Sequence, residues 1–293
     1  MPPIDSFLLQ IFSGLANGSI YAALGLALVM IYQSTHHINF AQGEMATFAT
    51  FIAWTLIERG VPYWLAFFLT VGIAFVGGLL VQRIFIKPVE RAPVLNNVIV
   101  FVGLLVIFNA MSGWIFGQTV KAFNSPFPTA SVVLPQYISG HQLGSLGVTL
   151  GVLLVVFLFF KYTPIGLAMR AAAQNPDSAS LVGIPVSWML ALGWGLASAI
   201  GAVAGMMMAP VVFLDPNMMG GILLYGFAAA LLGGIDNPWG AVIGGFIVGV
   251  LENILGAYVI GTELKLSVAL VLIVGTLTLM PNGLFGRKVV TRV

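Results

Sequence analysis

Of 293 residues, 59% are hydrophobic and 7% charged, and the mean hydropathy is +1.05. A soluble domain carries about 25% charged residues, so this chain lacks the charge to wet a globular surface and reads as an all-α polytopic membrane protein. The net charge of +2 points to no nucleic-acid partner, and the lack of cysteine excludes disulfides and thiolate metal sites.

A helix needs about 20 apolar residues to cross the hydrocarbon layer. Runs of this kind fall at roughly 7–33, 43–57, 62–82, 97–117, 143–161, 188–213, 222–234, 240–260 and 264–281. No Lys or Arg precedes Arg59, so the positive region of a signal peptide is missing and the first run is expected to be a membrane helix. The second and seventh runs are short, rich in Gly or Ala, and abut polar stretches, which suits broken or re-entrant helices shielded by protein. The expectation is about eight transmembrane helices, one or two of them broken or re-entrant, in a single domain spanning 1–293.

Between the first two runs lies HHINFAQGE, residues 36–44. His36, His37 and His141 lack the i, i+4 spacing of a helical zinc site, so no metal is expected and the adjacent pair is placed at the membrane interface. Asn39 and Glu44 are five apart, about 140° around a helix. They face one point only if the backbone breaks between them, and Gly43 is the expected break.

Basic residues of short loops set the orientation. Arg83, Lys87 and Arg91 share one loop, Lys161 and Arg170 another, and Arg287, Lys288 and Arg292 form the tail. These are eight of the eleven basic residues, so all three segments are assigned to the cytoplasm. The Pro- and Ser-rich stretch 118–142 reads as an exterior loop, and counting back puts the N-terminus outside. Tyr63 and Trp64 suit the outer interface.

The segment KYTPIGLAMRAAAQNPDSASLVGIPVS, residues 161–187, carries clear helix punctuation. Thr163-Pro164 and Asn175-Pro176 each read as an N-cap followed by a first-turn proline. Gly183 before Ile184 and Pro185 is a helix stop. Two short helices follow, the first expected to expose Met169 and Leu167 beside an Ala-rich face with Arg170 as its one charge. This is either a compact knob for a partner groove or an ordinary capped loop.

Small residues recur at four-residue spacing in Gly193, Ala197, Gly201 and Gly205, and again in Gly240 and Gly244 with Gly245 and Gly249 beside them. Such stripes let helix backbones approach closely. Glu252 lies near mid-span, where an acid costs about 2.5–3.5 kcal/mol on insertion scales. The surrounding aliphatic residues offset this only to about break-even at 0.3–0.6 kcal/mol each, so Glu252 must face protein or water. It is either a buried hydrogen-bonded strut or part of a permeation path, and Asn253, Asn17 and Asn109 pose milder versions of the same question. No catalytic constellation and no phosphate-binding loop appears, so an enzyme is not expected. Any ATP used must be bound by another chain.

Five segments taken in order, GLANGSIYAALGLALVMIY (14–32), INFAQGEMATFATFIAWTL (38–56), GLAMRAAAQNPDSASLVGIPV (166–186), AGMMMAP (204–210) and LLGGIDNPWGAVIGGFIVGVLEN (231–253), resemble the inner-membrane permeases of branched-chain amino acid ABC transporters. The shorter, H-type permease branch fits the chain length. The resemblance implies that 161–187 is the coupling loop that docks on a cytoplasmic ATPase. Arg170, Ala171, Ala172 and Ala173 would occupy its charged and alanine positions, Gly183 its glycine, with Asp177 and Pro185 in the same loop. The glutamate that heads this loop in many importers is absent, as is usual in this branch, and the turn IDNPWG departs from the smaller residues common there.

The resemblance also implies a second permease subunit, identical or homologous, one or two ATPase subunits, an extracytoplasmic solute-binding protein, surrounding membrane lipid, and a location in the bacterial inner membrane. Asn17, Asn39, Glu44, Glu252 and Asn253 are the translocation-path candidates. The alternatives are an importer of urea or short amides, an ion-coupled carrier using Glu252 or Glu44, and a passive channel for small neutral solutes.

Overall fold

The computed structural model describes residues 4–90, 92–128 and 138–286. Eleven α-helices are present among them: α1 (Ile4–Thr35), α2 (Gln42–Glu58), α3 (Tyr63–Val81), α4 (Val94–Phe116), α5 (Gly140–Tyr162), α6 (Pro164–Gln174), α7 (Pro176–Leu181), α8 (Val186–Val212), α9 (Met218–Gly233), α10 (Pro238–Leu255) and α11 (Lys265–Leu279). Among the described residues seven helical stretches are long and apolar enough to cross a membrane: Ile4–Thr35, Tyr63–Val89, Val94–Phe116, Gly140–Tyr162, Val186–Val212, Pro238–Ile260 and Thr262–Leu279. Met218–Gly233 is a shorter apolar helix, and α2 has only 17 residues. The protein is an all-α polytopic membrane protein, and both segments expected to be short are short. Arg91, Arg287, Lys288 and Arg292, and the stretch 129–137 of the expected exterior loop, lie outside the described residues.

The chain packs as two compact units. One comprises Met1–Val29, Phe127–Thr149 and Gly221–Val293; the other comprises Met30–Pro126 and Leu150–Gly220. In the first unit α10 is the hub, because it offers backbone on two faces. A Cβ on Gly240 or Gly244 would run into the main chain of Gly233 or Ala229 on α9, while one on Gly245 or Gly249 would run into Ala22 or Gly18 on α1. Successive positions on a helix are 100° apart, so the two four-residue glycine series address two different neighbours.

In the second unit α8 has the same role. Gly201 and Gly205 admit α2, through Gln42 and Thr50 respectively. Gly195 meets Phe75, and Gly78 of α3 meets Ser198 and the Trp194 carbonyl. Trp194 is fully buried and stacks on Phe101 of α4, with centroids 5.9 Å apart. At one end of this unit the Arg83 guanidinium lies 4.2 Å over the Trp188 ring. At the other, Lys121 and Leu214 exchange two backbone hydrogen bonds of 2.8 and 3.0 Å, and the Lys121 ammonium sits 4.4 Å over Trp54.

Candidate functional site

The segment after α5 folds as its punctuation dictates. Thr163 Oγ1 accepts from Gly166 N at 3.0 Å and caps α6, and Asn175 Oδ1 accepts from Ser178 N at 2.9 Å and caps α7. Each satisfies one of the backbone donors left open at a helix start. Gly183 stops α7 with φ +83°, a conformation that side-chain-bearing residues avoid.

Which face of α6 is exposed differs from expectation. Met169 is 7% exposed and Ala172 is fully buried, both on the side packed against α8. Both Met169 and Leu167 are expected from sequence to be exposed; Gly166, Met169 and Ala172 follow at three-residue steps and form the buried stripe, so Met169 turns inward. Leu167 points out, as do Ile165, Arg170, Asp177, Gly183 and Pro185, while Ala171 and Ala173 are half-buried. The most exposed apolar pair is Leu181 and Val182 at the end of α7, at 87% and 76%.

In the same unit, polar groups gather around α2. The chain leaves α1 through His36, at φ +54°, and enters α2 at Gln42 with Ala41 as a cap that lends no side chain. The turn is therefore made by residues 36–41, and α2 runs unbroken through Gly43. The expected break at Gly43 is corrected. Asn39 precedes the helix, so its angular separation from Glu44 does not arise. Asn39 is fully buried; its Oδ1 accepts from Ala41 N at 3.0 Å and its amide donates to Gln42 Oε1 at 3.4 Å. It shapes the turn.

Gln42 in turn donates to the Ala197 carbonyl of α8 at 2.9 Å. Glu44, 7% exposed, accepts from Asn109 Nδ2 at 3.2 Å. The same nitrogen approaches Pro216 O at 3.1 Å and Asn217 Oδ1 at 2.9 Å, and Asn217 N donates to Asp215 Oδ1 at 2.7 Å. One amide carries two hydrogens, so three acceptors share it and the cluster is rich in acceptors. His37 bonds within its own turn through Nδ1 at the Thr35 carbonyl and reaches Asn97 of α4 through Nε2 at 3.5 Å. Among the described residues no group of His, Cys, Asp and Glu is placed to hold a metal ion.

The first unit holds the second polar cluster. Glu252 of α10 is 4% exposed; Tyr21 of α1 donates to its Oε2 at 2.9 Å, and the Lys265 ammonium lies 3.5 Å from its Oε1. Lys265 also donates to Asn253 Oδ1 at 3.0 Å, while Asn253 Nδ2 donates to Gly249 O at 3.1 Å. The lysine stem crosses Gly256, where a Cβ would come within 2.7 Å of it. Tyr21 stacks on Tyr225 with centroids 4.7 Å apart. Asn17 is half-buried on α1, four residues before Tyr21 and thus on the same helix face.

Asn39 and Glu44 thus fall in the second unit, with Asn109, and Asn17, Glu252 and Asn253 in the first. Lys265, Tyr21, Gln42, Asp215 and Asn217 were not singled out from sequence. Lys265 did leave a trace, as a basic residue at the head of an apolar run that belongs to no basic cluster.

The model of the family described as branched-chain amino acid transport system permease component matches residues 10–277. The chain is 30% identical over 310 aligned positions to the high-affinity branched-chain amino acid transport system permease protein LivH of Escherichia coli K12, covering 98% of each. It is 29% identical to BraD, the corresponding permease protein of Pseudomonas aeruginosa, over the whole of both chains. Among solved structures, PsaBC from Streptococcus pneumoniae in complex with Fab matches with a TM-score of 0.50 at 13% identity, covering 93% of this chain and 91% of that one. That likeness speaks to the fold.

Proposed function

The chain belongs to the family of branched-chain amino acid transport system permease components, and from that premise we propose that it is the membrane-spanning subunit of an ABC importer in the bacterial inner membrane. It acts as one permease domain across 1–293. It pairs with a second permease subunit, identical or homologous, receives a hydrophobic amino acid from an extracytoplasmic binding protein, and is driven by ATP bound on separate cytoplasmic subunits.

The observation that carries this reading is the segment 161–187. Two helices capped by Thr163 and Asn175 present Leu181 and Val182 outward, and Arg170 and Asp177 are exposed on the same segment. An exposed apolar tip on a rigid, short-armed loop is costly unless a partner covers it. Movement of the ATPases against this loop would rock the permease between outward- and inward-open states.

Selectivity rests with the binding protein, so the permease needs a path of mixed polarity that releases what it touches. The acceptor-rich group of Glu44, Asn217 and Asp215 suits the ammonium end of a zwitterion, and the single Asn109 amide keeps that attraction weak. Glu252 is read as a strut: both carboxylate oxygens are engaged, one by Tyr21 and one by Lys265. With one oxygen held by Tyr21 and the other facing Lys265, which is itself bonded to Asn253, the carboxyl is tied to fixed partners on three helices, which favours a structural role over a mobile carrier.

The test is uptake of labelled leucine into proteoliposomes. Uptake should require the ATPases, the binding protein and ATP together. Accumulation by the permease without an ATPase, or uptake that an uncoupler abolishes at constant ATP, would overturn the proposal. Uptake of urea and not leucine would move the cargo to short amides.

A further inference from the structure

Within the second unit, one face of α8 touches two elements in succession. Gly193, Ala197, Gly201 and Gly205 follow at four-residue steps and share that face. At Gly193, a Cβ would stand 3.8 Å from Met169 Cε of α6. One turn on, the Ala197 carbonyl accepts the Gln42 amide at 2.9 Å. The next turn is Gly201, where a Cβ would come within 2.6 Å of the same Gln42 nitrogen, and beyond it Gly205 admits Thr50. From Gly193 to Gly205 the face runs about 18 Å at 1.5 Å per residue.

Faces built from glycine, alanine and methionine are smooth. Small sliding of packed helices is one way such a contact can shift, and here the side chains seated in the α8 face from α2 are Gln42 at Gly201 and Thr50 at Gly205. A hydrogen bond between Gln42 and a main-chain carbonyl is directional, and Gln42 is fully buried. A slip of half a turn would strand its amide without an acceptor and out of reach of water, so the contact has one preferred register. The start of α2 has no side-chain cap of its own, which leaves the Gln42 bond and the Asn39 turn to fix where that helix begins. Two residues on, Glu44 takes the amide of Asn109.

We propose that Gln42 is a positioning residue that holds α2 in register on α8, so that a displacement received by α6 is delivered to the Glu44 cluster. The inference rests on the reading of α6 and α7 as the contact with the ATPase. Without the Gln42 bond, α8 would still move with α6, and α2 would lag behind it.

The experiment uses the whole complex in proteoliposomes, with labelled leucine and the binding protein. Gln42→Met keeps side-chain length and removes the donor. Assembly and basal ATP hydrolysis should persist, while leucine moved per ATP hydrolysed falls about tenfold and the stimulation of hydrolysis by leucine-loaded binding protein is lost. Gly201→Ala, which crowds the Gln42 amide without removing it, should lower the same ratio. A fall in transport and hydrolysis in parallel, tracking the amount of assembled complex, would mark a merely structural role and overturn the proposal. Wild-type stoichiometry in both variants would overturn it too. A wild-type complex with no ATP-dependent leucine uptake would instead defeat the importer reading on which it rests.

Discussion

The Glu252 carboxylate stands 3.5 Å from the Lys265 ammonium, and Tyr21 donates to its other oxygen at 2.9 Å. The three residues come from α10, α11 and α1, so one acid ties three helices of the first unit. Removing one partner of a buried pair leaves the other charge uncompensated, at a cost of about 3 kcal/mol. Glu252→Gln and Lys265→Met should each lower the thermal midpoint in detergent, and the double variant should recover part of the loss. A double variant no better than the worse single would show that the charges do not interact.

Tyr21→Phe separates the hydroxyl from the ring. The stack on Tyr225 is retained while a hydrogen bond to a charged group is lost, for about 1.5–3 kcal/mol. The expected result is a drop in unfolding midpoint smaller than that of Glu252→Gln. An unchanged midpoint would place the tie in the ion pair alone.

The two faces of the α6–α7 segment should respond in opposite ways to the same charge. Ala172→Asp puts a carboxylate where no solvent reaches, and the loop itself should fail, detectable as protease sensitivity near 161–187. Leu181→Asp alters a fully outward side chain, so the midpoint should stay within about 0.5 kcal/mol of wild type while ATPase co-purification is lost. Retention of the ATPase by Leu181→Asp would remove Leu181 from the docking surface.

Glycines on α10 and α4 make a matched pair. A Cβ at Gly249 would fall on the Cα of Gly18, a backbone atom that cannot turn aside, so Gly249→Ala should destabilise by about 1–3 kcal/mol through overpacking. Gly103 has open space around the same position, and Gly103→Ala should be neutral or stabilise by up to about 1 kcal/mol. Equal effects in SDS titration would contradict the close approach of α1 and α10.

What the sequence revealed follows from the range of the interactions involved. Thr163, Asn175 and Gly183 act on backbone within four residues, so both short helices and their limits could be read directly. The cost of an acid in hydrocarbon made it plain that Glu252 had to be satisfied. Its partners were not legible, because Tyr21 lies 231 residues away and Lys265 is brought back only by the turn after α10. The same limit hid the Asn109 amide from Glu44. The error at Gly43 had a different source: glycine was taken as a break, whereas Asn39 had already turned the chain and glycine served inside the helix.

The bond pair between Lys121 and Leu214 has a kinetic meaning. Each residue spends both its donor and its acceptor on the other, and Trp54 covers the lysine head, so the connecting segments after α4 and α8 are riveted together. A riveted rim cannot serve as a pair of independent flaps. Any gating motion at that end of the second unit must carry both connecting segments as one plate, and their amides should exchange with solvent at one common rate.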